Sequence, residues 1–202
     1  MPERHLTPAL LVAVYACPPQ RAAAWAPHLQ AACALAGIDS AQRLACFLAQ
    51  VGHESGRLRH TREIWGPSAA QQRYERDFAS AWSKSDPRNR LAFALGNTKA
   101  GDGKRYRGRG LIQTTGRANH LLTTLRLRER LGADVPDFVA TPALLELPLW
   151  AALSAGLYWR VKGLNRWADA HDFATLTRRI NGGFNGLADR QALYSRALGA
   201  LI

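Results

Sequence analysis

Cysteine is scarce in this sequence and carries no pairing pattern. Only Cys17, Cys33 and Cys46 occur, an odd number with no C-x-x-C spacing. That argues against a disulfide framework and a cysteine-based metal site, and leaves room for at most one disulfide. Each lies in an apolar stretch, the usual setting of a small buried thiol. Lysine is scarce as well. Of 27 basic residues only Lys84, Lys99, Lys104 and Lys162 are lysine. The rest are arginine, whose planar fork suits carboxylate or phosphate contacts. No apolar run approaches the roughly 20 residues of a membrane span, so no membrane insertion is expected. The sequence also lacks a G-x-S-x-G elbow, a P-loop, a dinucleotide fingerprint, internal repeats and a low-complexity tail.

What is present describes an ordinary globular chain of 202 residues, 47% hydrophobic and 21% charged. The length suits one domain with a sizeable core. The formal net charge of +12 attracts polyanions at long range without selecting among nucleic acid, anionic lipid and an acidic cell wall. Near the N-terminus the short apolar run Leu10–Cys17 follows Arg4, and Val14-Tyr15-Ala16-Cys17 has the outline of a lipoprotein cleavage site. Glu3 offsets Arg4, however, and Thr7-Pro8 reads as an N-cap followed by a first-turn proline, so a helix is expected there and no clear signal peptide.

Helical patterns dominate. Thr7–Ala16 is the first, ended by Pro18-Pro19. Arg21–Ala36 is the second, capped by Gly37, with Pro27 predicting a break near Ala26. Ser40 caps a third from Ala41 to about Ser55, where Leu44, Phe47, Leu48 and Val51 repeat at helical spacing. Between Gly56 and Gly116 the pattern loosens into turn-forming residues, with room for a small β-hairpin near Tyr106–Gln113. A long irregular stretch in a compact domain is usually functional. Helices resume at about Asn119–Leu131, after Thr141-Pro142 and Leu147-Pro148 (the second to about Trp159), and over Asp172–Ile180 and Leu187–Leu201. The fold class is therefore mainly α.

Four segments carry candidate chemistry. His53-Glu54-Ser55-Gly56 puts a carboxylate where an amphipathic helix meets the irregular stretch. Position 57 is Arg57, not histidine, so this is not a zinc-protease helix, and no metal is expected. Glu63 follows nine residues later. On one unbroken helix nine residues rotate about 900°, placing the two carboxylates on opposite faces. A break at Gly56 would let both serve glycoside hydrolysis, in which one carboxylic acid protonates the leaving oxygen and a carboxylate activates water or attacks. The bland alternatives are a solvated Glu54 and a Glu63 paired with Arg59 or Arg62. Third is Arg105-Tyr106-Arg107-Gly108-Arg109-Gly110-Leu111-Ile112-Gln113-Thr114-Thr115-Gly116. Residues 104–130 have a net charge of +7, which composition alone reads as a solvated basic loop or an RNA-contacting one. Fourth is Ile180-Asn181-Gly182-Gly183-Phe184-Asn185-Gly186 with Asp189-Arg190, a helix C-cap and turn.

Taken in order, these motifs resemble those of glycoside hydrolase family 19, the chitinases, and most of all its phage-endolysin and bacterial lysozyme-like branch. The resemblance rests on Gly52–Gly56, Tyr106–Gln113 with Thr115-Gly116, and Ile180–Gly183. It implies a lysozyme-like helical two-lobed fold with a central cleft, residues 1–202 forming a single catalytic domain and about 57–116 lining the cleft. It also implies Glu54 as general acid, Glu63 as general base, and Thr115 as a hydroxyl holding the attacking water. Gln113, Asn119 and Asn181 fall on sugar-binding positions, Tyr106 and Arg109 on cleft walls, and Arg190 on an arginine linked to the carboxylates, with His53 supporting. Trp65 offers a stacking face for a sugar ring or a core contact. The run Glu63-Ile64-Trp65-Gly66-Pro67-Ser68 departs from the Asn-Leu-Asn-Tyr-Ser-like run usual in endolysins, and the plant enzymes' disulfides have no clear counterparts. The implied activity is inverting hydrolysis of β-1,4 bonds in peptidoglycan, with chitin as the alternative and a non-catalytic wall-binding module as a third reading. The expected partner is a polysaccharide, not nucleic acid. No cofactor is implied. The chain is expected to be a monomer, made in the cytoplasm and acting on the cell wall or periplasm after release or delivery.

Overall fold

The computed structural model describes residues 6–201, so Glu3 and Arg4 lie outside it. Among the described residues regular structure is almost wholly helical. In chain order the helices are α1 (Pro8–Tyr15), α2 (Pro19–Ala36), α3 (Ala41–Glu54), α4 (Ala69–Gln72), α5 (Arg90–Leu95) and α6 (Asp102–Arg105). They continue with α7 (Arg117–Leu131), a 3-10 turn at Pro142–Glu146, α8 (Pro148–Val161), α9 (Asn165–Asp169), α10 (Phe173–Asn181) and α11 (Leu187–Leu201). None is long and apolar enough to cross a membrane.

Two compact units emerge: Met1–His60 with Pro148–Ile202, and Thr61–Leu147. In the first, α3 packs on α11 and α2 on α8, with α1 against both α2 and α11. The caps are those the sequence predicts. Thr7 Oγ1 accepts from Leu10 N, Ser40 Oγ accepts from Arg43 N, and Gly37 ends α2 in the left-handed region at φ 66°. The predicted break at Pro27 does not occur, and α2 runs through it. The carbonyl of Ala23 loses its helical donor, but Ala23 and Pro27 are both exposed, on the solvent side of the helix, where an unpaired carbonyl costs least. Meanwhile Trp25, Ala26, Leu29, Ala32 and Cys33 are buried on the other face, and their burial outweighs the lost bond. All three cysteines are free and buried. Burial pushes the Cys33 and Cys46 thiols up to about 12, which leaves them inert.

The second unit is built around Tyr106, Leu111, Leu127, Phe138 and Leu145. His120 meets the Tyr106 ring edge-on at 5.1 Å, and Arg117 lies 4.7 Å from its centroid. Arg117 is held in turn by the buried Asp102 carboxylate at 2.5 Å. Helix α7 buries His120, Thr123, Thr124 and Leu127 and exposes Leu121, Leu122 and Leu125, the reverse of ordinary patterning. The β-hairpin anticipated near Tyr106–Gln113 is absent. Two isolated bridges stand there, Arg62 with Arg109 and Arg109 with Thr114. Gly110 at φ 81° and Gln113 at φ 48° fold the chain back within one reciprocal pair of bonds between Arg109 and Thr114, too tightly for a ladder.

Candidate active site

Glu54 is the last residue of α3. Beyond it Gly56, Arg57 and Leu58 are all left-handed, with φ near 60°. That is the helix break the sequence predicts at Gly56. Two non-glycine residues in this region cost roughly 1–3 kcal/mol each, and the surroundings offset the cost. Leu58 is buried, its N–H donates to Ser55 Oγ at 2.8 Å, and Arg57 N donates to the Gly52 carbonyl at 2.6 Å.

The Glu54 carboxylate is held by Arg190 Nη2 of α11. Arg190 is 1% exposed. Its Nη1 donates to Gln50 Oε1 and its Nε to the Asn185 carbonyl at 3.3 Å. Gln50, fully buried and one turn before Glu54 on α3, donates to Thr177 Oγ1 of α10 at 2.8 Å. A buried cation needs an anion and satisfied donors, and Arg190 has both. Beside it, His53 Nδ1 meets Asp189 Oδ2 at 2.7 Å, and Arg57 Nη2 meets Asp189 Oδ1 at 2.6 Å. Burial raises the Asp189 pKa, but the His53 hydrogen bond and the Arg57 charge outweigh it and hold the carboxyl below its usual range. Gly186, at φ 70°, lies so close to the His53 ring that any Cβ would collide with it. The Asn181–Arg190 segment is thus the mould for the end of α3. Asn181 closes α10 and donates to the Asn185 carbonyl at 3.2 Å.

In the second unit the half-buried Glu63 is bonded on both oxygens. Oε1 accepts from Gln71 Nε2 at 3.0 Å and Tyr74 Oη at 3.4 Å, and Oε2 accepts from Gly108 N at 3.0 Å. Its own N–H donates to the Gly108 carbonyl at 2.8 Å. Gln71 also closes the capping box of α4, accepting from Ser68 N while its own N–H donates to Ser68 Oγ. One side chain therefore caps a helix and aims a carboxylate. Burial and then the Glu63 charge raise the Tyr74 phenol. Gly108 is bracketed on its other side: a Cβ there would strike Gln113 Oε1 and approach Thr115 Oγ1 at 3.2 Å. Thr115 Oγ1 donates to the Gln113 carbonyl at 3.1 Å, so its lone pairs remain to accept. Asn119, exposed in the first turn of α7, donates to the Thr115 carbonyl at 2.7 Å. Glu63, Gln113 and Thr115 thus meet around Gly108, and Asn119 is tied to them through the Thr115 carbonyl.

Three expectations change. Tyr106 is 1% exposed, its hydroxyl donating to the Val139 carbonyl at 3.1 Å. Arg109 is 6% exposed, bound to Glu146 at 2.8 Å and to the Arg105 carbonyl at 2.6 Å. Neither presents surface to a sugar, so both support the Gly108 turn from beneath instead of forming a wall. Glu63 is not paired with Arg62, which approaches Glu146 at 3.4 Å. Trp65 is half-buried and tilted against Tyr74 at 6.3 Å. Gln50, Thr177, Gln71 and Tyr74 went unnoticed in the sequence. Gln50 lies one turn before Glu54, and Ser68-x-x-Gln71 is a capping-box pattern, so both left a signal. Thr177 and Tyr74 left none. No group of His, Cys, Asp or Glu among the described residues is arranged to hold a metal ion.

No family model matches the sequence. A Haemophilus influenzae protein described as a glycosyl hydrolase family 19 domain-containing protein is 40% identical over 176 residues, which span 81% of this chain and 82% of that protein. Among solved structures, chitinase C from Streptomyces griseus superposes with a TM-score of 0.64 at 20% identity, over 97% of this chain and 76% of its own. A bacterial family 19 chitinase superposes with a TM-score of 0.65 at 20% identity, over 97% and 94%. The mainly helical, lysozyme-like fold is shared with these chitinases.

Proposed function

The chain belongs to glycoside hydrolase family 19, and from that premise we propose that it cleaves β-1,4 bonds of bacterial peptidoglycan by inversion, with Glu54 as acid and Glu63 as base. That it is a glycoside hydrolase follows from the family. The assignment of the two glutamates is carried by one observation: each carboxylate is gripped by a polar framework, and neither is a free surface acid.

In this reading Glu54 takes a proton from solvent before the chemical step, gives it to the glycosidic oxygen as the bond opens, and returns to the carboxylate that the Arg190 guanidinium stabilises. Glu63 takes a proton from water. Thr115, whose own proton is committed to the Gln113 carbonyl, accepts the second water hydrogen and so fixes the direction of attack. Water entering opposite the leaving group produces the α-anomer, which requires the carboxyls to be roughly 6.5–9.5 Å apart in the working enzyme. Gln113, Asn119 and Asn181 supply amides for the N-acetyl sugars.

The net charge of +12 favours an anionic wall over neutral chitin. Chitin is the second reading, supported by the fold neighbours, which are named chitinases. Turnover of purified peptidoglycan and of soluble glycol chitin, side by side, tests the choice. Faster release of reducing ends from peptidoglycan supports the proposal, and release from glycol chitin alone would replace it with the second reading. Binding to walls without release of reducing ends would point to a non-catalytic module.

A further inference from the structure

Away from the groups that hold Glu54, the first unit carries a chain of cations seated on aromatic rings. The Arg166 and Arg179 guanidinium carbons lie 4.8 and 5.6 Å from the Trp167 ring centroid. Lys162 Nζ lies 5.7 Å from the Tyr158 ring, and the Tyr158 hydroxyl donates to the Arg179 carbonyl at 3.4 Å. Lys162, Arg166 and Arg179 are exposed, and none forms an ion pair among the described residues. By contrast, Arg43, Arg57 and Arg190 in the same unit each have a carboxylate.

This surface belongs to the same unit as Glu54 and is linked to it through α10. Burial, and after it the Glu54 charge, raises the Tyr158 phenol. Helix α10, which presents Arg179 outward, sends Thr177 inward to Gln50 and thence to Arg190 and Glu54.

A cation held over a ring is partly desolvated and has little rotamer freedom left to lose, so its interaction with an incoming carboxylate is strengthened. A neutral polymer gains nothing from such an array. We propose that Arg166 and Arg179 on Trp167, with Lys162 on Tyr158, bind the carboxylates of an anionic amino-sugar strand on the unit that carries Glu54. The site thereby distinguishes peptidoglycan, with its lactyl and peptide carboxylates, from chitin. This rests on the hydrolase reading only for the role of Glu54.

The test is equilibrium binding of the full chain, carrying Glu54→Gln to prevent turnover. The probes are carboxymethyl chitin, glycol chitin and purified peptidoglycan, each across a salt series. Arg166→Gln/Arg179→Gln should weaken binding to the two anionic polymers about tenfold and flatten the salt dependence, leaving glycol chitin unchanged. Arg126→Gln/Arg130→Gln, which removes the same charge from the exposed face of α7, should change binding less than about twofold. Equal loss on glycol chitin, equal loss in the α7 pair, or no loss on the anionic polymers would each overturn the proposal. Should the double variant melt early, Lys162→Gln takes its place, with about a threefold loss confined to the anionic polymers. Because binding is the readout, absence of hydrolysis by the wild type would sink the proposed function and leave this result to stand or fall alone.

Discussion

Glu54 and Glu63 are both oriented by groups on other parts of the chain, and the partners differ in kind. Glu54 rests on one buried guanidinium, whereas Glu63 rests on an amide, a phenol and a backbone N–H. Glu54→Gln and Glu63→Gln keep the shape of each side chain and remove its proton chemistry. Each should lower kcat on peptidoglycan by about 10²- to 10⁴-fold while the melting temperature stays within a few degrees, as read by reducing-end release and calorimetry. Near wild-type turnover in Glu63→Gln would remove it as the base. Arg190→Met leaves Glu54 and Gln50 without their donor. It should cost about 2–4 kcal/mol of stability, at or below the usual cost of breaking a buried pair because the Glu54 side chain is 23% exposed. Denaturant unfolding measures it.

At the scale of elements, the decisive feature is the end of α3 and what moulds it. The sequence shows the helix, its Ser40 cap and a break at Gly56. It does not show that the break is a run of three left-handed residues, because Arg57 and Leu58 have no local preference for that conformation. Tertiary partners supply it: Asp189 for Arg57, and burial for Leu58. The Asn-Gly-Gly motif is legible as a cap, but the need for Gly186 against the His53 ring is not, since that contact joins residues far apart in sequence. Gly186→Ala adds a clash and a left-handed alanine, and should cost about 1–3 kcal/mol with a matching loss of activity. Equal stability and turnover in wild type and variant would show that the mould is not needed. Pro27 teaches the converse lesson, since a local breaker yields when its helix face is wet and the opposite face is core.

Helix α7 makes a pH prediction. His120 is fully buried, with Nδ1 on the Gly116 carbonyl at 2.9 Å, and burial lowers its pKa from 6.5 to about 4. The folded state therefore favours neutral imidazole. Stability is complete above pH 6.5 and declines as pH falls toward 4, where the unfolded chain binds a proton that the folded chain refuses. The slope is roughly 1.4 kcal/mol per pH unit. Urea midpoints should fall over that window, and His120→Gln should flatten the decline. An unchanged slope in the variant would assign the decline to other groups. The sequence gives no hint of this residue's role, because a histidine among exposed leucines and buried threonines reads as surface.

For the whole molecule, the periodicity of the sequence gives the helical class, the resemblance of its ordered motifs implies a glycan hydrolase, and homology places it in family 19. The short helices α4, α5 and α6 escaped the sequence because each is at most six residues long and forms from caps and tertiary contacts instead of periodicity. In the proposed function the net charge of +12 bears on where the molecule docks, and the two glutamates bear on what it does there. The most direct measurement of the second is mass spectrometry of the soluble products released from purified peptidoglycan. The expected products are muropeptides with intact stem peptides and a new reducing sugar end, absent in Glu54→Gln. Free stem peptides, or no soluble product from walls that bind the protein, would contradict it.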